Sequence, residues 1–131
     1  MSKSKAEQIK SCSGEFVLAL NDAMNVLHGK WKLPIIGLLM FGKKRYKELE
    51  NQISNITPRM LSKELKELEL NGIVKRRVIN SIPVKVEYEL TASGYALRTV
   101  LDAMIDWGLE HRKIQKGLIR SSMELPVDNL G

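Results

Sequence analysis

Residues 57–71 limit the fold more than any other stretch, because they carry signals for both ends of one helix. Thr57 is suited to cap a helix that begins at Pro58, and Asn71 with Gly72 is suited to end it. At about 100° per residue, three leucines fall in one narrow stripe and three cations fall almost opposite them. The leucines are Leu61, Leu65 and Leu68, and the cations are Arg59, Lys63 and Lys66. The pattern predicts a helix that buries one face and presents positive charge on the other.

Three glutamates of the same stretch, Glu64, Glu67 and Glu69, are predicted on the flanks of this helix, outside its cationic face. An ordinary solvated amphipathic helix shows the same separation of charged and apolar residues. The neighbouring segments are therefore needed to determine whether this stretch is a binding helix or a plain surface helix.

The chain has 131 residues, which is enough for one domain with a real core. Its 21 Lys and Arg against 15 Asp and Glu give a net charge of +6. This excess favours a polyanionic partner such as nucleic acid, although an anionic membrane surface would use the same charge. No apolar run is long enough to span a membrane, and residues 1–10 lack the apolar core of a secretion signal. We therefore expect a cytoplasmic protein without a membrane partner.

The segments before residue 57 predict the first half of a helix-turn-helix. Apolar residues recur at helical spacing over residues 15–28, and the run 31–41 is apolar nearly all round. Four cations surround Tyr46 ahead of a short helix, and residues 54–56 then form a tight connection. Two short helices joined by a small turn, the second with a cationic outer face, form an arrangement that reads DNA. A helix-loop-helix packing motif is the alternative interpretation of this stretch alone.

Beyond this helix the pattern changes to that of a β-hairpin. Residues 73–79 and 84–90 are rich in Val, Ile and Tyr, with a loop at 80–83 between them. Three successive cations lie at the base of the hairpin: Lys75, Arg76 and Arg77. A hairpin directly after a recognition helix is a wing that reaches phosphates or the minor groove. The alternative is a two-stranded flap that only covers the core.

A long helix is predicted from Ala92, capped by Thr91, to about Ile114. Its apolar residues occupy about 220° of the helical wheel, which is more than one core-facing stripe needs. We therefore expect a two-fold dimer in which this helix and the N-terminal helix meet a partner subunit. The residues expected at that interface are Phe16, Leu20, Val100, Leu101, Met104, Ile105 and Trp107.

These elements together predict an α+β, mainly α, fold: a winged helix-turn-helix domain with N- and C-terminal dimerisation helices. The domain is expected over residues 14–114. A flexible N-terminal segment, residues 1–13, precedes it, and a loosely ordered C-terminal tail, residues 115–131, follows it.

Several short segments occur in an order that is typical of one family. They are GKWK at 29–32, YKEL at 46–49, ITPRML at 56–61, KELE at 66–69, NGIV at 71–74, VEYELT at 86–91 and DWG at 106–108. In these segments the chain resembles the HxlR-type regulators, winged-helix transcription factors related to the MarR group. The resemblance covers about residues 18–111, and it is carried by the ordered set rather than by any single segment.

This resemblance implies a homodimeric, sequence-specific DNA-binding transcriptional regulator, expected to be a repressor, on a pseudo-palindromic operator. A small-molecule effector of unknown identity is a further candidate partner. The resemblance puts the recognition helix at 57–66 and the wing tip at 80–85. The candidate DNA-binding residues are Lys44, Arg45, Thr57, Pro58, Arg59, Met60, Ser62, Lys63, Lys66 and Lys85.

The side chains of the recognition helix suggest roles of different kinds. Thr57 and Ser62 can donate hydrogen bonds to phosphates. Arg59 and Lys63 can reach base edges or phosphates, and Met60 can touch a thymine methyl group. The spacing does not decide which of these residues reads bases.

The chain departs from the family at one position. Many members carry a redox-sensing cysteine about thirteen residues before the tryptophan that matches Trp31, and Leu18 occupies that place here. The single cysteine, Cys12, lies six residues earlier. A thiol switch at Cys12 competes with an incidental thiol, and we favour the second because reactivity requires a lowered pKa.

No sequence pattern supports catalysis or metal binding. His28 and His111 have no Cys or carboxylate partners at ligand spacing, and no P-loop or GxSxG element is present. We therefore expect no enzymatic activity and no cofactor.

Two other binding functions compete with DNA recognition. A winged-helix protein-interaction module without specific DNA binding would use the long C-terminal helix for docking. The clustering of cations at 43–47, 59–66 and 75–77 argues against it. RNA binding is disfavoured because no aromatic platform for stacking bases is visible.

Overall fold

The computed structural model describes residues 13–129, with side chains described as far as Arg120. Its helices are α1 (Ser13–Leu27), α2 (Lys32–Leu39), α3 (Tyr46–Gln52), α4 (Pro58–Leu70), α5 (Ala92–Tyr95) and α6 (Arg98–Asn129). Its strands are β1 (Lys44–Arg45), β2 (Val74–Ile79) and β3 (Lys85–Leu90). The chain divides into two compact units, one that ends at Tyr95 and one that begins at Ala96. The predicted mainly helical α+β fold with a small antiparallel sheet is confirmed.

Cys12 belongs to the segment 1–12, which lies outside the described residues. The thiol hypothesis for this residue therefore stays a prediction. Over the part of the chain that the structure describes, no helix is both long enough and apolar enough to cross a membrane.

The sheet has the strand order β1-β3-β2, and all pairs are antiparallel. β2 and β3 pair over their full lengths, from Val74 opposite Leu90 to Ile79 opposite Lys85, so the predicted hairpin is confirmed. The two-residue strand β1 was not predicted, since the sequence indicates only a basic turn there. Two residues without apolar alternation become a strand only when β3 supplies hydrogen-bond partners, and a local pattern cannot show that.

The core of the first unit lies where α2, α3 and α4 pack with the sheet. Its completely or almost completely buried apolar side chains are Ile35, Ile36, Leu39, Leu49, Leu61, Leu65, Leu68 and Val74. Burying each such side chain contributes about 1.5–3 kcal/mol relative to leaving it exposed. The predicted leucine stripe of α4 is therefore confirmed, and it fixes which face of that helix points outward.

The ends of α4 follow the local signals in the sequence. The backbone N–H of Met60 donates to Oγ1 of Thr57 at 3.1 Å, and Pro58 is the first helical residue. At the other end, the backbone and side-chain amides of Asn71 both donate to the carbonyl oxygen of Glu67 at 3.0 Å. Gly72 follows with a φ of +72°, the left-handed conformation that commonly ends helices.

Lys32 lies in the apolar helix α2, and its side chain is completely buried. Its Nζ donates to Oε2 of Glu64 at 2.8 Å and to Oε2 of Glu67 at 2.5 Å, both on α4. Glu64 is buried and Glu67 is half-buried, so the flank of α4 that carries them packs toward α2. We call these three residues the Lys32 cluster, and it joins α4 to α2.

The Lys32 cluster shifts the pKa values of its members. Burial alone would lower the pKa of Lys32, but the hydrogen bonds that Lys32 donates to Glu64 and Glu67, together with the charges of these glutamates, raise it above 10.5. The hydrogen bond with Lys32 lowers the pKa of Glu67 below 4.5, and partial burial opposes this effect. The charges of Lys32, Lys63 and His28 lower it further. Lys32 and Glu67 are therefore both charged at neutral pH.

Thr91 holds the start of α5 against the start of β2. Its hydroxyl donates to the carbonyl oxygen of Gly72 at 2.6 Å, and its Oγ1 accepts from the backbone N–H of Gly94 at 3.1 Å. A Cβ at Gly94 would clash with the carbonyl oxygen of Ile73, so the position requires glycine. The threonine expected to cap the long helix therefore caps the short helix α5.

The prediction of one continuous helix over residues 92–114 is wrong. The chain forms α5, turns at residues 96–97 and begins α6 at Arg98. The apolar pattern continues across the turn, so its periodicity does not reveal the break. α6 then runs as helix to Asn129. The domain limits expected from the sequence, with a tail from residue 115, stay a prediction.

We expect Lys32→Met to destabilise the fold by about 3 kcal/mol, because it leaves the buried carboxylate of Glu64 without a partner. Urea denaturation at pH 7 measures this change. Lys66→Met is the matched control, since Lys66 is an exposed lysine of α4, and it should change stability by less than about 0.5 kcal/mol. Replacing the whole cluster, as Lys32→Met/Glu64→Leu/Glu67→Gln, should return stability to within about 1 kcal/mol of wild type. Equal effects of the two single variants would contradict the assignment.

The contribution of Glu67 to stability should depend on pH. Because its folded pKa is lowered, the contribution is complete above 4.5 and is lost as pH falls through the folded pKa. The difference in unfolding free energy between wild type and Glu67→Gln should therefore shrink from pH 7 to pH 3. Urea denaturation at several pH values measures it, and a difference that stays constant over this range would contradict the prediction. The contribution of Lys32 is also stabilising but has the opposite pH dependence, since it is lost only as pH rises above 10.5 through the folded pKa of Lys32.

Candidate nucleic-acid interface

Helices α3 and α4 form the predicted helix-turn-helix, and a tyrosine fixes the angle between them. The turn contains Asn55, whose φ of +68° is tolerated by asparagine better than by most residues. The hydroxyl of Tyr46, the first residue of α3, donates to the carbonyl oxygen of Pro58 at 2.8 Å and lies 3.0 Å from Oγ of Ser62. The start of α3 is thereby bonded to the first turns of α4.

This arrangement gives different hydrogen-bonding states to the two hydroxyls expected to bind phosphates, those of Ser62 and Thr57. A tyrosine hydroxyl has one proton, and Tyr46 uses it on Pro58, so Ser62 has to donate its own proton to Tyr46. Ser62 is therefore occupied as a donor in the free protein. Oγ1 of Thr57 accepts a hydrogen bond from Met60, which leaves the proton of its hydroxyl free to donate. Thr57 is better placed than Ser62 to donate to a phosphate.

The outer face of α4 presents its three cations without acidic partners. Arg59, Lys63 and Lys66 are exposed, and none of them forms an ion pair among the side chains described here. Pro58 is exposed beside them and Met60 is half-buried. Two of the three glutamates of α4 are bonded to Lys32 on the inner side, so only Glu69 is an exposed acid of this helix. The helix has equal numbers of cations and acids, yet its outer face is positive.

The cations ahead of α3 have different surroundings. Lys43 pairs with Glu87 of β3 at 3.6 Å. Lys44 and Arg45 form β1, where Lys44 is half-buried and Arg45 is exposed, and neither takes part in an ion pair within the described side chains. The backbone N–H of Arg45 donates to Oε1 of Glu48 at 3.0 Å, which caps α3.

The hairpin divides its cations between its two faces. Lys75 and Arg77 both pair with Glu89, at 3.8 and 2.8 Å. Arg76 points to the opposite face, into a cleft of about 310 Å³ between α4 and the hairpin. Lys85 is half-buried near the tip. Arg76 was not singled out from the sequence, although strand alternation alone would have separated it from its neighbours.

The residues predicted at a dimer interface are mostly exposed in the single chain. The exposed fractions are 39% for Phe16 and 52% for Leu20 on α1, and 43% for Val100, 50% for Met104, 56% for Ile105 and 68% for Trp107 on α6. Leu101 differs, since it is only 9% exposed and therefore does not belong to this exposed face. Thr99, Val100, Ala103, Met104 and Trp107 line a shallow apolar groove along α6. Exposed apolar area of this kind commonly marks a protein interface.

Comparison with known proteins identifies the type of this fold. Residues 26–116 match the HxlR-like helix-turn-helix family. The HTH-type transcriptional regulator YtcD of Bacillus subtilis, described as uncharacterized, is 41% identical over 97 residues, which is 74% of this chain and 77% of YtcD. The crystal structure of YtcD superposes with a TM-score of 0.69 at 42% identity, covering 72% of this chain and 96% of that one.

Two further solved structures have the same architecture. The redox regulator HypR in its reduced form gives a TM-score of 0.71 at 37% identity, covering 76% of this chain and 98% of HypR. A transcriptional regulator of the MarR family from Enterococcus faecalis gives 0.68 at 34% identity, covering 88% and 96%. The fold, the matched residues and these relatives agree with one another, and relatives of this kind are transcriptional regulators rather than enzymes. The chain belongs to the HxlR-like helix-turn-helix family of DNA-binding transcriptional regulators.

Proposed function

We propose that the protein binds a specific pseudo-palindromic DNA site as a homodimer and acts there as a repressor. The observation that carries this proposal is the outer face of α4, where three exposed cations form no ion pair with any side chain that the structure describes. Each subunit inserts α4 into the major groove, and the two grooves lie about 34 Å apart along the duplex. The hairpin then lies on the adjacent backbone or minor groove as a wing.

The cationic residues divide into base-reading and phosphate-binding candidates. Arg59 and Lys63 lie one turn apart on the exposed face near the start of α4, the part of a recognition helix that usually reaches base edges. The candidates for phosphate contacts are Thr57 at the cap of α4 and Lys44 and Arg45 in β1, because Thr57 directly precedes α4 and β1 directly precedes α3. Phosphate contacts fix the register, and base contacts give the sequence preference.

Dimer formation is supported by the exposed apolar side chains of α1 and α6. A lone helix with this many exposed large apolar residues is poorly suited to water, and a second copy covers them by two-fold symmetry. Trp107 is the largest of these side chains, and its ring stacks on His111 at a centroid distance of 4.7 Å. The stack presents one flat aromatic surface that a partner subunit can cover.

DNA binding is tested by fluorescence anisotropy on the labelled intergenic duplex beside the protein's own gene. We expect saturation at one dimer per site, a much weaker affinity for a scrambled duplex, and affinity that falls steeply as salt rises. Arg59→Ala or Lys63→Ala should weaken binding to the specific duplex by about 1–3 kcal/mol where the residue makes a bidentate base contact.

Arg98→Ala is the matched control, because Arg98 is an exposed arginine outside the helix-turn-helix, and it should leave affinity unchanged. Equal losses on the specific and the scrambled duplex would assign Arg59 or Lys63 to phosphates. Weak and equal binding of the wild type to both duplexes would contradict sequence-specific recognition and favour a protein-interaction module.

The dimer is tested with Trp107→Glu, which places a charge in the proposed apolar interface. We expect the dimer dissociation constant to rise at least about tenfold, which corresponds to about 1.4 kcal/mol. Sedimentation equilibrium measures this constant. Phe41→Glu is the matched control, since Phe41 is 87% exposed but lies outside α1 and α6, and it should remain dimeric. A monomeric wild type, or equal dissociation of both variants, would contradict the proposed interface.

A further inference from the structure

A cleft separates the C-terminal half of α4 from the hairpin. It is lined by Ser62, Lys66, Glu69 and Leu70 of α4 and by Arg76 and Tyr88 of the hairpin. Its volume is about 310 Å³, and all of its lining residues belong to the unit that ends at Tyr95. Cations from two different elements therefore meet in one space.

Strand alternation selects Arg76 from the basic triplet of β2. Lys75 and Arg77 lie on one face of the hairpin, and Glu89 pairs with both of them. Arg76 lies opposite Tyr88 in the register and shares its face. Tyr88 is only 8% exposed and lines the cleft beside the exposed Arg76. Only Arg76 of these three residues points toward α4.

The charge inside the cleft is positive. Lys66 and Arg76 are exposed, and neither forms an ion pair within 4 Å among the described side chains. Glu69 also lines the cleft, and it too is absent from the ion pairs of that part of the chain. Two cations against one carboxylate leave one unbalanced positive charge. An arginine fork with a lysine beside it matches a phosphate group, which accepts several charged hydrogen bonds.

We propose that this cleft holds one phosphate of the DNA backbone between Lys66 and Arg76. The proposal rests on the function proposed above and adds a binding site to it. In the proposed complex α4 lies in the major groove and the hairpin on the adjacent backbone, so the DNA strand between them would pass the cleft that separates α4 from the hairpin. The contact fixes the position of the wing against the recognition helix and carries no sequence preference.

Arg76→Ala and Arg77→Ala test the proposal as a matched pair, because they remove the same side chain at adjacent positions on opposite faces. Anisotropy titrations on the specific duplex over a salt series give the affinity and its salt slope. We expect Arg76→Ala to weaken binding about three- to tenfold at 0.1 M salt and Arg77→Ala to change it less than about twofold. Equal effects of the two variants would overturn the proposal.

The double variant Lys66→Ala/Arg76→Ala tests whether the two cations share one phosphate. Loss of one phosphate should lower the magnitude of the salt slope by about 1 in total. A fall of about 2 would mean two separate phosphates and would overturn the shared site. Glu69→Gln provides a test of opposite sign, since removing the carboxylate should strengthen binding, and weaker binding would count against the site.

The two proposals fail in different ways. If the wild-type protein binds neither duplex, or binds both equally weakly, both the proposed function and the phosphate site are contradicted. If the wild-type protein binds specifically but Arg76→Ala has the same effect as Arg77→Ala, only the phosphate site is contradicted. Thermal unfolding of each variant checks that the fold is intact, and both arginines are exposed, so little change is expected there.

Discussion

The ion cluster of Lys32, Glu64 and Glu67 determines both how α4 is oriented against α2 and what charge its outer face carries. A buried lysine is tolerated only with partners, and here both partners come from α4. The cluster therefore selects one rotation of α4 against α2, which the leucine stripe alone defines more loosely. It also takes two carboxylates away from the outer face, so that this face is positive although the helix as a whole is formally neutral.

The acidic residues of the sheet act in a related way. Glu87 and Glu89 pair with Lys43, Lys75 and Arg77, and these cations are thereby balanced on the protein itself. The cations that form no ion pair among the described side chains include those on the outer face of α4, Lys44 and Arg45 in β1, and Arg76. The net charge of the chain thus says little about the interface, because the distribution of ion pairs decides which charges a nucleic acid meets.

The parts of the fold that local signals dictate could be predicted from the sequence. Thr57, Pro58 and Asn71 determine the ends of α4, and the alternation of apolar and charged residues predicts the strands of the hairpin. The burial of Lys32 could not be predicted, because its partners lie 32 and 35 residues away and a lysine in an apolar run normally extends to water. β1 and the turn at residues 96–97 depend on contacts in space in the same way. Arg76 could have been found by the period of the strand and was missed.

The Lys32 cluster also bears on engineering, since recognition helices are often treated as interchangeable modules. Residues 58–70 moved into a related scaffold without a lysine at the position of Lys32 would bring two uncompensated carboxylates to the new core and surface. The graft would be less stable and would bind DNA less well, although the residues proposed to contact bases would be unchanged. If α4 reads DNA as proposed, the portable unit of recognition in this protein is α4 together with Lys32 of α2.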